Sequence, residues 1–178
     1  MYAWRITKYN PLFRDQQGIY FKDEWTSMYD IGSTFPDGLF NIDEYLRIEN
    51  LYVNAVTSIM DCIGVNYLQI EGLEKWSDSI EILDFNEIYD NEMSDLFKQL
   101  CNGDKLDKQM VRIVCKLILR NNLWCRLTNE RMYVHFGHEY YMFVGCLDRC
   151  EYIIKEIVNS GLYVEHYLSP INVYEDDE

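Results

Sequence analysis

The C-terminal third of the chain carries the residue pattern that most constrains its fold. Three short runs rich in apolar and aromatic residues, at 124–127, 132–136 and 140–146, are separated by turn-forming residues. Such spacing predicts three antiparallel strands joined by tight turns. A helical pattern over 148–160 and a strand pattern over 162–168 complete a βββαβ block. This order of elements favours an α+β fold, in which helices cover a mainly antiparallel sheet.

Three helices are expected before this block, which makes about four covering helices in all. Their apolar residues recur at steps of three and four over 41–64, 86–103 and 106–120, the spacing that places them on one helix face. Asn41 and Asp148 are expected to cap the first and the last helix, because each stands three residues before a glutamate.

The remaining strands are expected in the N-terminal half. Alternation of apolar and polar residues over 2–9 predicts the first strand, and residues 19–25 are expected to pair with it as a short strand. Residues 65–70 and 79–85 are expected to form two more. With the C-terminal block, these strands indicate one mainly antiparallel sheet.

The chain shows no boundary between domains. No internal repeat or linker occurs, so we expect a single α+β domain over residues 1–172 and a disordered acidic tail over 173–178. Between residues 11 and 40 the sequence has no clear period, although it is rich in aromatic residues. A loop of that length in a compact domain is usually functional or contains short elements of its own.

Negative charge is concentrated in one region of a chain whose formal net charge is −14. Residues 71–95, called the acidic segment below, contain nine acidic residues and one lysine. A focused negative field attracts cationic partners and repels nucleic acid, so we expect the acidic segment to bind a basic protein. The carboxylates expected to contact that partner are those of Glu71, Glu74, Asp78, Glu81, Asp84, Glu87 and Asp90.

A structural explanation of the same charges stays open. Acidic runs are often solvated surfaces. Glu87 and Asp90 would also lie in the first turn of the helix expected from residue 86, where the helix dipole favours anions.

The aromatic region between residues 11 and 40 supplies further candidate contacts. Trp25, Tyr29 and Asp30 place large rings beside a carboxylate, and Trp and Tyr are frequent anchors of protein interfaces. The alternative is that these aromatic side chains hold the long loop on the sheet.

No residue pattern indicates catalysis, a cofactor or a metal. The chain has no glycine-rich phosphate-binding motif and no nucleophile elbow. His135, His138 and the scattered cysteines lack the spacing of a zinc site. We therefore predict no catalytic residue, no metal and no cofactor, and a binding protein rather than an enzyme.

Direct binding of nucleic acid is also not expected. Lys and Arg number 16 against 30 Asp and Glu, whereas nucleic-acid-binding surfaces are basic. The basic residues cluster only at Lys116, Arg120 and Arg126, around Trp124. This small basic patch is a candidate for internal pairing with the acidic segment.

The cysteines and the start of the chain favour a cytoplasmic protein. The six cysteines contain no CxxC pair and fall mostly within apolar helix or strand patterns, which predicts reduced, buried thiols. The first residues pass directly into a polar alternation, so no secretory signal is expected, and no run approaches the length of a membrane span.

Several short strings resemble small acidic bacterial cytoplasmic proteins, some of which are similar to toxin-immunity proteins. The strings are residues 4–11, 24–27, 29–32, 135–137 and 160–165. The resemblance implies an inhibitor that neutralises a toxin by binding it, and it supplies no catalytic residue. In that reading the acidic segment would mimic nucleic acid and occupy the basic cleft of a nuclease or another nucleic-acid-handling enzyme.

Two other functions stay open. The protein would be a small-ligand-binding protein or an enzyme if a pocket lay between the 10–40 segment and the C-terminal sheet, lined by Asp30, Tyr133, His135 and Tyr141. It would be an accessory subunit of a bacterial complex if its surface carried an exposed apolar patch.

Overall fold

The computed structural model describes residues 1–80 and 85–167. These residues form four α-helices, a seven-stranded sheet and a two-stranded hairpin. The helices are α1 (Ile42–Ile63), α2 (Asn91–Gln99), α3 (Lys108–Leu119) and α4 (Glu151–Asn159). The strands are β1 (Tyr2–Thr7), β2 (Thr34–Phe35), β3 (Gly38–Leu39), β4 (Tyr67–Lys75), β5 (Lys105–Asp107), β6 (Leu123–Asn129), β7 (Met132–Phe136), β8 (Met142–Cys146) and β9 (Tyr163–His166).

The large sheet has the strand order β5-β4-β6-β7-β8-β1-β9, and every neighbouring pair is antiparallel. Strands β6, β7 and β8 form the expected meander, and β1 pairs with both β8 and β9. The predicted α+β class, with its antiparallel sheet and C-terminal βββαβ block, is confirmed.

Alternation along the central strands separates a helix-covered face from an opposite face. In β6, Leu123, Cys125 and Leu127 are buried, while Trp124 and Arg126 are only partly buried. Successive strand residues point to opposite faces, and α3 packs on β4, β6 and α1. The face that carries Trp124 and Arg126 is called the outer face below.

Helix α1 begins and ends where the sequence indicates. The side chain of Asn41 accepts a hydrogen bond from the backbone N–H of Glu44 at 3.0 Å, which satisfies one of the free donors of the first turn. Gly64 follows the last turn with φ of 66°, a left-handed conformation that costs glycine little. None of the helices in the described residues has the length and hydrophobicity needed to cross a bilayer.

A buried ion pair connects α1 to the end of α3. Arg120 and Glu49 are 2% and 0% exposed, and two guanidinium nitrogens donate to the two carboxylate oxygens at 2.7 Å each. A third guanidinium nitrogen donates to the carbonyl of Ile88 at 2.6 Å. Burial by itself lowers the pKa of Arg120, but the hydrogen bonds and charge of Glu49 outweigh it and raise that pKa.

Three expected elements differ in the structure. Residues 19–25 form no strand, and only an isolated bridge joins Arg14 to Tyr20. Strand β4 runs beyond residue 70 to Lys75, because β6 pairs with it along most of that length. Helix α2 begins at Asn91 rather than near residue 86, where a single 3₁₀ turn lies instead. Part of the strand expected over 79–85, and the tail over 173–178, lie outside the described residues.

The expectation that all six cysteines are reduced is wrong for Cys62 and Cys150, which form a disulfide. The two are 88 residues apart in sequence, and packing of α4 on α1 brings their Cα atoms to 6.2 Å. Cys150, with φ of 45°, precedes α4, and the expected cap Asp148 instead pairs with Arg131 at 3.0 Å. Disulfides are typical of oxidising compartments, so the cytoplasmic location stays a prediction.

Candidate functional site

A cleft of about 830 Å³ opens at one end of the sheet and contains the site best suited to binding. Its walls are residues 26–27 of the N-terminal loop, the end of α3, the starts of β6 and β8, and the β7–β8 turn. Glu74 and Trp76, from the end of β4, also line it. The cleft therefore borders the acidic segment.

A β-bulge places two carboxylates of the acidic segment on the same face of the sheet. Glu71 lies opposite Arg126 and Glu74 lies opposite Trp124, with a register shift between the two pairs. Arg126 and Trp124 are two residues apart and share the outer face, so Glu71 and Glu74 share it as well. Gly72, with φ of 64°, occupies the left-handed position at this bulge.

Part of the acidic segment is already used by the fold. Glu71 accepts a hydrogen bond from Thr128 at 2.7 Å and lies 3.6 Å from Arg126, which is the internal pairing expected for that arginine. Asp90 caps α2 by accepting a hydrogen bond from the backbone N–H of Met93 at 2.7 Å. These two carboxylates therefore have structural roles.

Other acidic residues remain exposed. Glu74, Asp78 and Glu87 are exposed and form no ion pair with any residue in 1–80 or 85–167. Glu81 and Asp84 lie outside the described residues. Among the described candidates, Glu74 is thus the first free carboxylate along the chain, and it lines the cleft.

The three candidates of the N-terminal loop have different positions. Trp25 is buried, with its ring stacked on Phe40 at a centroid distance of 4.3 Å. Asp30 accepts hydrogen bonds from the backbone N–H groups of Thr26 and Ser27 at 2.8 and 3.0 Å. Tyr29 is 62% exposed, so it is the member of the three whose ring is presented at the surface.

The β7–β8 turn holds its residues in a costly conformation. Glu139 and Tyr140 both have positive φ, 53° and 63°, and the N–H of Tyr141 donates to the carbonyl of His138 at 3.1 Å. This is the geometry of a type I′ turn, which favours Asn and Gly. A non-glycine residue there costs about 1–2 kcal/mol.

Contacts of Tyr140 offset that cost. Its ring is buried, and its hydroxyl donates to the carbonyl of Leu119 at 3.1 Å. Its own carbonyl accepts a hydrogen bond from the hydroxyl of Tyr52 at 2.5 Å. The turn is thereby fixed to the core, and Glu139 and Tyr141 are held at the cleft.

His135 is an uncharged wall of the cleft near neutral pH. Its ring stacks on Phe143 and meets Trp124 edge-on, both at centroid distances of 5.7 Å. Burial first, and then the charges of Arg126 and His138, lower the pKa of His135 to about 4. The imidazole therefore adds no positive charge to the cleft at pH 7.

The cleft combines aromatic rings with two carboxylates. Trp76 is 55% exposed, and its ring has no ring or cation partner among the described residues. Glu74 and Glu139 are exposed, and none of the described residues that line the cleft is a lysine or arginine. Aromatic faces and carboxylates both attract cations, so this lining suits a positively charged group with apolar parts.

The cleft lies where the sequence allowed a pocket, between the 10–40 segment and the C-terminal sheet. His135 and Tyr141 line it as expected, whereas Asp30 and Tyr133 do not. Sequence reasoning missed Trp76 and Glu139. The signal for Trp76 was a large ring within the acidic segment, but nothing local indicates that a residue of the β7–β8 turn lines the same cleft.

No three His, Cys, Asp or Glu side chains in residues 1–80 and 85–167 converge as metal ligands. Ser27, the serine at the cleft, accepts a hydrogen bond from the N–H of Tyr29 at 3.2 Å and serves as a helix cap.

Exposed apolar side chains mark a second surface, on the loop after β1. Leu12, Ile19 and Phe21 are 84%, 63% and 64% exposed. The backbone N–H of Phe21 donates to the carbonyl of Phe13, which brings the two ends of this loop together. An exposed patch of this kind is the feature expected of an accessory subunit.

Comparison of the chain with protein families, with curated proteins and with solved structures found no match.

Proposed function

We propose that this protein is a cytoplasmic binding module whose cleft and acidic segment together bind a basic protein. The observation that carries the proposal is the cleft itself: it has aromatic walls, two exposed carboxylates and no lysine or arginine among its described lining residues. Asp78 and Glu87 extend the negative charge beyond the cleft.

An excess of uncompensated carboxylates favours association with a cation-rich surface. Electrostatic steering raises the association rate, and it weakens as added salt screens the charges. Trp76 and Tyr29 provide exposed rings for the closer contacts, which slow dissociation once water is excluded. Fast, salt-sensitive association and slower release are therefore expected.

The partner class that suits such a surface is a toxin nuclease or another nucleic-acid-handling enzyme. The substrate cleft of such an enzyme is basic because it binds phosphates. Carboxylates spread over a rigid surface can occupy the same cleft, so an immunity-type or nucleic-acid-mimicking inhibitor is the specific form of the proposal.

Affinity capture with matched charge variants tests this function. The bait is the full chain, used at low and high salt, and captured proteins are identified by mass and then purified for kinetic measurement. In the test variant the neutralised residues are Glu74→Gln, Asp78→Asn and Glu87→Gln. In the matched control the same number of exposed acids elsewhere is neutralised: Asp23→Asn, Glu130→Gln and Glu156→Gln.

The proposal is supported if the wild type and the control both retain a basic partner at low salt, and if the test variant associates with that partner about tenfold more slowly. A partner that binds the test variant and the control equally, or whose affinity does not change with salt, contradicts it.

A second candidate function is binding of a small ligand in the cleft, which the cleft volume favours. A third is that of an accessory subunit, which the exposed side chains of Leu12, Ile19 and Phe21 favour. Capture that is lost on replacing these three apolar residues by serine, but kept when the acids are neutralised, would support the accessory subunit instead.

A further inference from the structure

We infer that the cleft holds the guanidinium group of an arginine side chain supplied by the basic partner. The inference rests on the proposed function, because it names the group of the partner that the cleft receives. It assigns a site to residues of the β4 end and the β7–β8 turn, with Glu74, Trp76 and Glu139 as its main contacts.

The cleft is lined by acidic and aromatic side chains from two parts of the chain. Glu74 and Trp76 follow each other closely at the end of β4, where both side chains are exposed and line the cleft. Glu139 enters from the β7–β8 turn, which is anchored to the core through Tyr140. Two carboxylates and an exposed indole thus line a cleft that has no lysine or arginine among its described lining residues.

The protein binds two of its own arginines through a carboxylate and an aromatic ring together. Arg5 donates through Nε and Nη2 to Glu165 at 3.2 and 3.0 Å, and its guanidinium lies 4.6 Å from the ring centroid of Tyr167. Each of these contacts uses a different part of the group: the edge forms hydrogen bonds and the face meets a ring. The carboxylate and the aromatic ring therefore act together.

Arg120 repeats the arrangement in the core. Its edge forms the bidentate pair with Glu49, and its face lies 4.9 Å from the ring centroid of Tyr89. The cleft presents the same two components, a carboxylate and an exposed ring, without an arginine from the described lining residues.

A guanidinium group suits this cleft better than the ammonium group of lysine. A guanidinium is planar, stacks on aromatic faces and donates two parallel hydrogen bonds to a carboxylate. It is also less strongly hydrated than an ammonium group, so entry into an aromatic cleft costs it less. Arginine is enriched at protein interfaces, whereas lysine is depleted.

Tryptophan NMR signals provide a direct test with a defined probe. The chain has four tryptophans: Trp76 and Trp124 line the cleft, Trp25 is buried behind its wall against Tyr140, and Trp4 is buried and does not line it. Butylguanidinium is titrated into the full chain and the indole N–H signals are followed, with butylurea as the neutral analogue and butylammonium as the lysine analogue. We expect shifts at Trp76 and Trp124 with a dissociation constant in the millimolar range, and none at Trp4.

Two variants then test whether Trp76 and Glu74 form the binding site. Trp76→Leu and Glu74→Gln are each expected to weaken butylguanidinium binding about fivefold, since each removes one contact of the size of an exposed cation–π or ion-pair interaction. Glu156→Gln removes an exposed acid outside both the cleft lining and the acidic segment, so it should leave binding unchanged. Thermal unfolding of each variant checks that the fold is retained.

The outcomes separate this inference from the proposed function. Equal binding of butylurea or of butylammonium overturns the assignment to arginine, as does equal binding by Trp76→Leu and the wild type. If the partner captured by the wild type binds Trp76→Leu as tightly as Glu156→Gln, the basic-partner function stands and the cleft inference fails. If butylguanidinium binds at the cleft but no basic protein is captured, the function fails and the cleft assignment stands.

Discussion

Loss of the buried carboxylate of Glu49 should destabilise the fold more than any surface change. In Glu49→Leu the guanidinium of Arg120 stays at the same place, 2% exposed in the wild type, without its charge partner. An uncompensated buried charge costs about 3–5 kcal/mol. That is a large share of the roughly 5–15 kcal/mol by which a domain is stable.

The expected loss of stability differs when both charges are removed. In the double variant Glu49→Leu, Arg120→Met, no buried charge remains, but the carbonyl of Ile88 and the hydroxyl of Tyr45 each lose a hydrogen-bond partner. An unsatisfied buried polar group costs about 1–3 kcal/mol. The double variant should therefore be more stable than the sum of the two single variants predicts, by several kcal/mol.

Urea unfolding followed by tryptophan fluorescence measures these differences. The four proteins of the cycle are compared at neutral pH, with Glu44→Gln as the control, because Glu44 forms an exposed pair with Arg47 at 2.8 Å and exposed pairs contribute only about 0–1 kcal/mol. Additive losses in the double variant would refute the view that unpaired charge is the main cost. A Glu49→Leu variant no less stable than the Glu44→Gln control would refute it as well.

Three further predictions concern the cleft wall, the disulfide and the sheet. Because burial lowers the pKa of His135 to about 4, only the unfolded chain gains a proton at this residue as pH falls below about 6.5. Between pH 6.5 and pH 4, the free energy of unfolding measured in urea should therefore fall by up to about 3 kcal/mol more for the wild type than for His135→Gln. Equal losses in the two proteins would contradict this. Replacing both Cys62 and Cys150 by serine removes a disulfide between residues 88 apart in sequence. The free energy of unfolding should fall by about 4–5 kcal/mol in the chain-entropy model, whereas replacing the exposed free Cys101 by serine should not lower it. A Cβ at Gly145 would lie 2.2 Å from the tyrosine ring opposite it on β7, so Gly145→Ala should cost about 1–3 kcal/mol in thermal unfolding, and an unchanged melting temperature would show that the ring moves freely.

Local patterns predicted the elements whose causes are local. The cap at Asn41 and the exit at Gly64 depend on residues within one helical turn, and the β6–β7–β8 meander depends on short turns between alternating runs. Strand β4 was predicted too short, because the bulge at Gly72 interrupts the alternation of its side chains. Beyond the bulge, pairing with β6 continues the strand. The disulfide between Cys62 and Cys150 left no local signal, since it is a consequence of helix packing.

Part of the candidate site could likewise be predicted from the sequence, and part could not. The acidic segment was evident from its composition, and a pocket beside His135 and Tyr141 was one of the stated alternatives. That Glu74 and Glu139 border one cleft was not evident, because 64 residues of chain separate them. Their position at one cleft depends on the pairing of β4 with β6, which joins distant parts of the chain, and on positive φ at Glu139 and Tyr140, where no Asn or Gly indicates a type I′ turn.

The sequence alone determined the fold class, the ends of the long helix and the amount of negative charge. Each of these follows from composition or from contacts a few residues apart. The tertiary structure alone decided which charges are free: Glu71 is paired with Arg126, Asp90 caps a helix, and Glu74 is left exposed beside Trp76. The reason is physical, because a carboxylate is neutralised by whatever lies within a few ångströms of it in space, and the folded chain sets those neighbours.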